Sequence, residues 1–243
     1  MKFLKGCFVA ALMAIPLVGL ADEVTNVTYK SSAALGATFK TGNTEKSLYT
    51  ADLKWDRYAP KNDWINSLYG EYGETDKERT EGKIRGQSDY RYKFGGKNFF
   101  AGAFSELVND AVKQIRFRGK IGPDMGYYFI NKEHHKLDAS FGINYVYERT
   151  ANQERDYGEW RLAGNYFIKM TDTSEFYLNV EYSANVEDYT DSLGLLVTGV
   201  KSQIKDNFSI YIELRDEYDN VLDDGVDEYN DVTILAGLAY DFL

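Results

Sequence analysis

The chain has two histidines, His134 and His135, side by side in NKEHHK. Imidazole is the side chain best suited to proton transfer near neutral pH and to zinc ligation. Adjacent residues on an extended chain point in opposite directions, so this pair and Glu133 lack the further convergent ligand that a metal site needs. Neither ring is placed to form a nucleophile–base couple with a serine at a lipid boundary. The segment reads as a solvated turn, and no enzyme class emerges from it. GGKN at 95–98 echoes a phosphate loop but lacks the flanking glycine spacing and the following hydroxyl residue, so it reads as a tight turn. The densest group of oxygens lies in RDEYDNVLDDGVDEYND, which holds Asp216, Glu217, Asp219, Asp223, Asp224, Asp227, Glu228 and Asp231. Its spacing is not that of an EF-hand. It reads as a hydrated acidic surface loop, with weak divalent-ion capture, shared with lipopolysaccharide phosphates, as the sharper alternative. No cofactor motif is found.

The other charged residues form a pattern instead of a cluster. In EGKIRGQSDYRYKFGG, Lys83, Arg85, Arg91 and Lys93 share one parity, and Ile84, Tyr90, Tyr92 and Phe94 share the other. A period of two means a strand with unlike faces. Arg116, Arg118 and Lys120 repeat the basic face in a later segment, and Arg161 and Lys169 repeat it again. Between and beyond them stand Glu106, Asp138, Glu159, Glu175, Glu181 and Glu213. If these faces line a lumen, one wall is basic and the following strands are more acidic. Such a wall suits a pore whose transverse field orients small polar or anionic solutes. The alternative is a packed interior closed by Arg–carboxylate networks.

The elements that must position these residues recur along the chain. About twelve alternating segments of roughly 11–16 residues follow one another, each long enough to cross a bilayer as a tilted strand. Short turns follow alternate segments: APK, GGK, NKEHH, TDTS and KDN. Longer polar loops are expected at ETDKERTE, RTANQERD and DEYDNVLDDGVDEYN. That asymmetry is the habit of outer-membrane barrels, whose short turns face the periplasm. Trp55, Trp64, Tyr127, Phe129, Tyr147, Trp160, Phe176, Tyr240 and Phe242 lie on apolar faces near segment ends, where aromatic girdles stand. The fold expected is an all-β, transmembrane, up-and-down antiparallel β-barrel of about 12 strands. Its apolar face meets lipid and its charged face the lumen. A soluble ligand-binding barrel would reverse the two faces.

The first residues, MKFLKGCFVAALMAIPLVGLA, combine a basic start, a short apolar core and small residues at a cleavage site. They read as a secretory signal peptide at 1–21, leaving one barrel domain at 22–243. Cys7 falls within the leader, so no disulfide is expected in the barrel. Removing Lys2 and Lys5 makes the remainder more acidic than the whole chain's −10, which argues against nucleic acid as a partner. The expected surroundings are outer-membrane lipid and lipopolysaccharide. The closing aromatic strand, GLAYDF, is close to the kind that barrel assembly machinery recognises. Leu243 follows Phe242, whereas the usual signal ends on the aromatic. Oligomeric state is not readable.

KTGNTEKSLYTADLKW, GYYFINKEHHKLDASFGINYVYER, RLAGNYFIKMTDTSEFYLNVEY, IKDNFSIYIELRDEYDN and GLAYDF together carry a family resemblance. They resemble the salt-induced outer membrane proteins, a domain-of-unknown-function family of outer-membrane barrels. The resemblance covers about residues 30–242 and implies an outer-membrane barrel of a Gram-negative cell. It supplies no catalytic or binding residues. The function expected is a narrow passive channel for small polar or anionic solutes, or an envelope-stress component. The alternative is a closed structural or interaction barrel presenting acidic loops.

Overall fold

The computed structural model describes residues 27–40, 46–75, 78–94, 98–111, 113–220 and 229–242. Twelve strands follow in order: β1 (Thr28–Lys40), β2 (Lys46–Tyr58), β3 (Asn62–Thr75), β4 (Glu78–Lys93), β5 (Phe99–Asp110), β6 (Ile115–Lys132), β7 (His135–Thr150), β8 (Glu154–Lys169), β9 (Ser174–Asn185), β10 (Ser192–Lys205), β11 (Phe208–Asp219) and β12 (Asn230–Asp241). Each pairs antiparallel with its sequence neighbours, and β1 pairs with β12 to close the barrel. Closure removes the unpaired edge that lipid could not satisfy. Strands run from 12 to 18 residues, more than the ~9–11 needed to cross a tilted hydrocarbon core. The expected transmembrane up-and-down barrel is the fold observed.

Exposure shows which face points outward. Leu35, Ile212 and Ile234 are 66%, 64% and 62% exposed, while Glu106, Lys120 and Glu159 are each 2% exposed. Apolar side chains thus form the outer surface and charges the interior, the reverse of a soluble barrel. At the end carrying the short turns, aromatic rings form a belt. Tyr92 meets Phe94 at 5.3 Å, Phe94 meets Phe99 at 5.7 Å, and Phe99 stands opposite Tyr127, which meets Phe129 at 5.3 Å. Further round, Tyr166 meets Phe176, and Tyr240 lies between Phe208 and Phe242. Trp55 and Trp64 stand near the same end, on β2 and β3. Tyr147, beside Phe117, and Trp160, beside Tyr182, lie nearer the other end.

The seam between β1 and β12 has six registered pairs, from Ser32–Asp241 to Ala37–Ala236, and most of its residues are Ala, Gly or Ser. It is backed from inside by an apolar cluster of Leu48, Tyr211, Leu235 and Ala239, with Ala34 packed on it. Gly237 and Gly36 let the Tyr211 ring lie flat against the seam. A Cβ on Gly237 would sit 2.6 Å from the Tyr211 Cε1 and 2.2 Å from the Leu35 carbonyl.

Two expected long loops are corrected. ETDKERTE is largely strand, with only residues 76–77 between β3 and β4, and RTANQERD leaves only 151–153 between β7 and β8. Charged residues there continue the strand period beyond the apolar belt, so polarity alone does not mark a loop. The longest connection is the acidic one, 220–229, of which 221–228, including Asp223, Asp224, Asp227 and Glu228, lie outside the described residues. GGK at 95–97 and the leader at 1–21 lie outside them too.

Candidate functional site

Even-numbered residues of β5, β6 and β7 and odd-numbered residues of β3, β4, β8, β9 and β11 point inward over most of their length. The lumen is therefore lined by whatever polar residues share that parity. Toward the loop end, Arg118 binds Glu148, which also accepts a bond of 2.8 Å from Arg155 Nε. Lys120 Nζ lies 2.9 Å from Glu159 Oε2. Arg85 Nε donates to Glu106 Oε2 at 2.6 Å, and its Nη2 reaches Glu181 Oε1 at 3.4 Å. Arg161 Nη2 donates to the other oxygen of Glu181 at 2.9 Å. Lys83 binds Glu217. Since β4 and β9 lie nearly opposite each other in a closed barrel of this order, as do β4 and β11, the Arg85–Glu181 and Lys83–Glu217 contacts span the lumen.

The middle layer mixes aromatic rings with ions. The Arg161 guanidinium lies 3.8 Å above the Phe104 ring, and Arg215 lies 4.0 Å above Tyr69 across the barrel. Tyr177 donates to Glu213 at 2.8 Å and lies over Gly199, where a Cβ would meet its hydroxyl at 2.6 Å. Arg91 bridges Asp89 at 2.8 Å and Asp138 at 3.0 Å. Lys93 and Tyr128 share Asp63, at 2.8 and 2.9 Å.

A polar cavity approaches this filling from each end. The outer one, about 60 Å³, is bounded by Lys83, Arg118, Glu181, Leu195 and Glu217. The inner one, at the turn end, is about 310 Å³ and is bounded by Lys30, His134, Lys169, Glu175, Lys201 and Asp241. Lys201 Nζ lies 2.7 Å from Asp241 and 3.8 Å from Glu175.

The structure thus brings Lys83, Arg85, Arg91, Lys93, Arg118, Lys120, Arg161, Glu106, Asp138, Glu159, Glu181 and Glu213 into one paired interior. Lys169 and Glu175 stand apart at the inner cavity. Arg116 is a correction. The ladder shifts register between Ile115 and Phe117, which turns Ile115 inward and leaves Arg116 exposed. The basic wall is also corrected. Asp89 stands beside Arg91 on β4, Asp124 accepts from Arg161, and Glu148 binds Arg118, so opposite charges interleave. Glu217, expected in a hydrated loop, lies on β11 and is bonded inside to Lys83. Asp89 and Asp124 share the charged parity of the basic residues on β4 and β6, and Glu148, Arg215 and Tyr177, which the sequence does not single out, share parity with Asp138, Glu213 and Glu175 on their own strands.

His134 is exposed in the β6–β7 turn, and His135 opens β7 with its ring 5.5 Å from Tyr166. Among the described residues, no three of His, Cys, Asp and Glu converge as metal ligands.

No curated protein matches this chain. Among solved structures, the NanC porin superposes with a TM-score of 0.51 at 12% identity, over 87% of this chain and 98% of that one. The KdgM porin gives 0.46 at 10% identity over 89% and 100%. The translocator domain of the autotransporter NalP from Neisseria meningitidis gives 0.45 at 10% over 98% and 95%. At such identities the likeness is one of fold. The family model described as "Protein of unknown function, DUF481" matches residues 33–242, which is nearly the whole barrel, and the chain belongs to that family.

Proposed function

We propose that this protein is an outer-membrane channel for small polar solutes, with an ion-paired constriction in its outer half. The leader at 1–21 directs export, and the closing strand is what barrel assembly machinery engages. The turn end faces the periplasm, and the acidic β11–β12 hairpin faces the lipopolysaccharide surface. One observation carries the channel reading. On β9, only Tyr177 and Asn179 face inward between Glu181 of the outer cavity and Glu175 of the inner one. Among the described residues, the barrier between the two cavities is made of side chains and not of a plug of backbone, and it is shortest along β9 and β10.

That layer is also restrictive. Freeing one partner of a buried ion pair costs about 3–5 kcal/mol, so wide opening is rare and large solutes are excluded. Swelling of liposomes holding the folded barrel tests this directly. Small neutral and anionic solutes such as glycine and acetate are expected to enter, and a trisaccharide is not. The resemblance to salt-induced proteins adds an envelope-stress setting; a transcript indifferent to osmolarity would remove that setting and leave the channel.

The cross-lumen pairs Arg85–Glu181 and Lys83–Glu217 favour a second reading, a closed barrel whose interior serves only stability. A folded barrel that admits no solute supports that reading over the first.

A further inference from the structure

The buried charges in the middle of the barrel do not balance. Arg85 pairs with Glu106 and Glu181, Lys120 with Glu106 and Glu159, Arg161 with Glu181 and Asp124, and Arg91 with Asp89 and Asp138. Lys136 is near enough to Asp138 to attract it, which makes five cations to six carboxylates. The cations around this set are taken by other acids: Arg118 and Arg155 by Glu148 and Asp191, Lys83 by Glu217, Arg215 by Glu213, and Lys93 by Asp63. None of them is spare. A buried carboxylate without a counter-charge is costly, so one further positive charge belongs in this layer.

The excess falls where carboxylate oxygens stand free. Asp89 and Asp124 each engage an arginine through Oδ2 alone, Asp89 with Arg91 Nε at 2.9 Å and Asp124 with Arg161 Nη1 at 3.4 Å. Both Oδ1 atoms are buried without a hydrogen-bond partner, on residues that are 8% and 4% exposed. The buried hydroxyl of Ser140, beside Asp124, has no partner either. Asp124 stands opposite Gly102 on β5 and Gly142 on β7, so neither flanking strand sets a side chain beside it. Asp89 is near enough to Asp124 to repel it. Asp138, the third carboxylate of the layer, is taken by Arg91 at 3.0 Å and Asn165 at 2.9 Å.

We propose that Asp89, Asp124 and Ser140 form a binding site for one small monovalent cation of the sodium class in the middle of the barrel. Two carboxylate oxygens and a hydroxyl are the hard oxygen ligands such an ion takes. A divalent ion needs more oxygens than these, and it would meet Arg91 and Arg161 on the other side of the same two carboxylates. The free oxygens are enclosed, so a small ion fits between them and a large one such as caesium does not. The bound ion supplies the missing charge and ties β4 to β6 and β7. The site stands whether or not the lumen conducts.

The test is the urea midpoint of the detergent-folded barrel as sodium chloride replaces caesium chloride at constant ionic strength. Screening is then equal throughout, and only a selective ion shifts the midpoint. The wild type is expected to gain a constant step for each tenfold rise in sodium above its Kd, as binding to the folded state alone requires. Asp124→Asn, which removes the excess charge and keeps the shape, is expected to lose that step. Should this variant fail to fold, Asp89→Asn carries the measurement with the same expectation. A wild type equally stable in sodium and caesium overturns the site, as does a variant that keeps the full sodium step. Stability that follows pH but not sodium assigns the missing charge to a proton and overturns it too.

Discussion

Arg85 on β4 donates through Nε to Glu106 on the adjacent β5 at 2.6 Å and through Nη2 to Glu181 on the far-side β9 at 3.4 Å. Glu181 in turn accepts from Arg161 on β8 at 2.9 Å. One side chain therefore ties two walls of the barrel together across the lumen. Arg85→Ala leaves Glu106 and Glu181 buried with one cation fewer. The expected loss is about 3–5 kcal/mol of stability, read from the urea midpoint of the detergent-folded barrel. Arg85→Lys, which keeps the charge but not the fork, should lose less.

The seam supplies a second prediction. Tyr211 lies against Gly237, and a Cβ there would overlap both the ring and the Leu35 carbonyl. Gly237→Ala should lower stability by about 1–3 kcal/mol by overpacking, seen as a lower temperature for loss of the folded band in gel-shift assays. Loss at the same temperature as wild type would mean that the seam yields without cost.

On the outer face, Trp64 Nε1 donates to Ser88 Oγ at 2.8 Å, and that hydroxyl donates to Asn66 Oδ1 at 2.8 Å. The Asn66 amide group then reaches the Trp55 carbonyl at 2.9 Å, where the β2–β3 ladder skips residues 55–56 and 65–66. The side chains replace missing ladder bonds on a surface that meets lipid, where water offers no substitute. Ser88→Ala strands two polar groups and should cost about 1–3 kcal/mol, with altered tryptophan emission. An unchanged spectrum and midpoint would remove this chain of bonds from the stabilising contacts.

The register shift before Phe117 separates two neighbouring arginines. Arg118 binds Glu148 inside, and Arg116 is exposed outside. Arg116→Gln should leave the unfolding free energy, read from urea melts, within about 0.5 kcal/mol of wild type. Arg118→Gln should lower it by about 3 kcal/mol. Equal effects would contradict the placement of the bulge.

These residues also show what was legible in the sequence. Strict alternation around Ile84–Phe94 settles the strand and which residues share a face, because the side-chain period is fixed at two, while the aromatic residues near segment ends, the leader and the closing strand point the apolar face to lipid. Arg116 was misplaced because a bulge inserts one residue and reverses parity locally, and nothing in IRFRGK marks it. Which charged residues share the inward face was legible, but their interleaving and pairing were not. Glu181 and Glu217 meet β4 only because closure brings β9 and β11 opposite it, a relation with no local signature. The expected loops at 74–81 and 149–156 failed for a related reason, since strands that rise beyond the apolar belt become polar on both faces.

The most direct measurement is single-channel conductance of the wild-type barrel beside Arg85→Ala in a planar bilayer. Small openings in the wild type and a clearly larger conductance in the variant are the predicted result, because removing Arg85 unties the constriction. Two folded proteins that conduct equally would contradict the constriction at Arg85, and two that conduct nothing would contradict the channel.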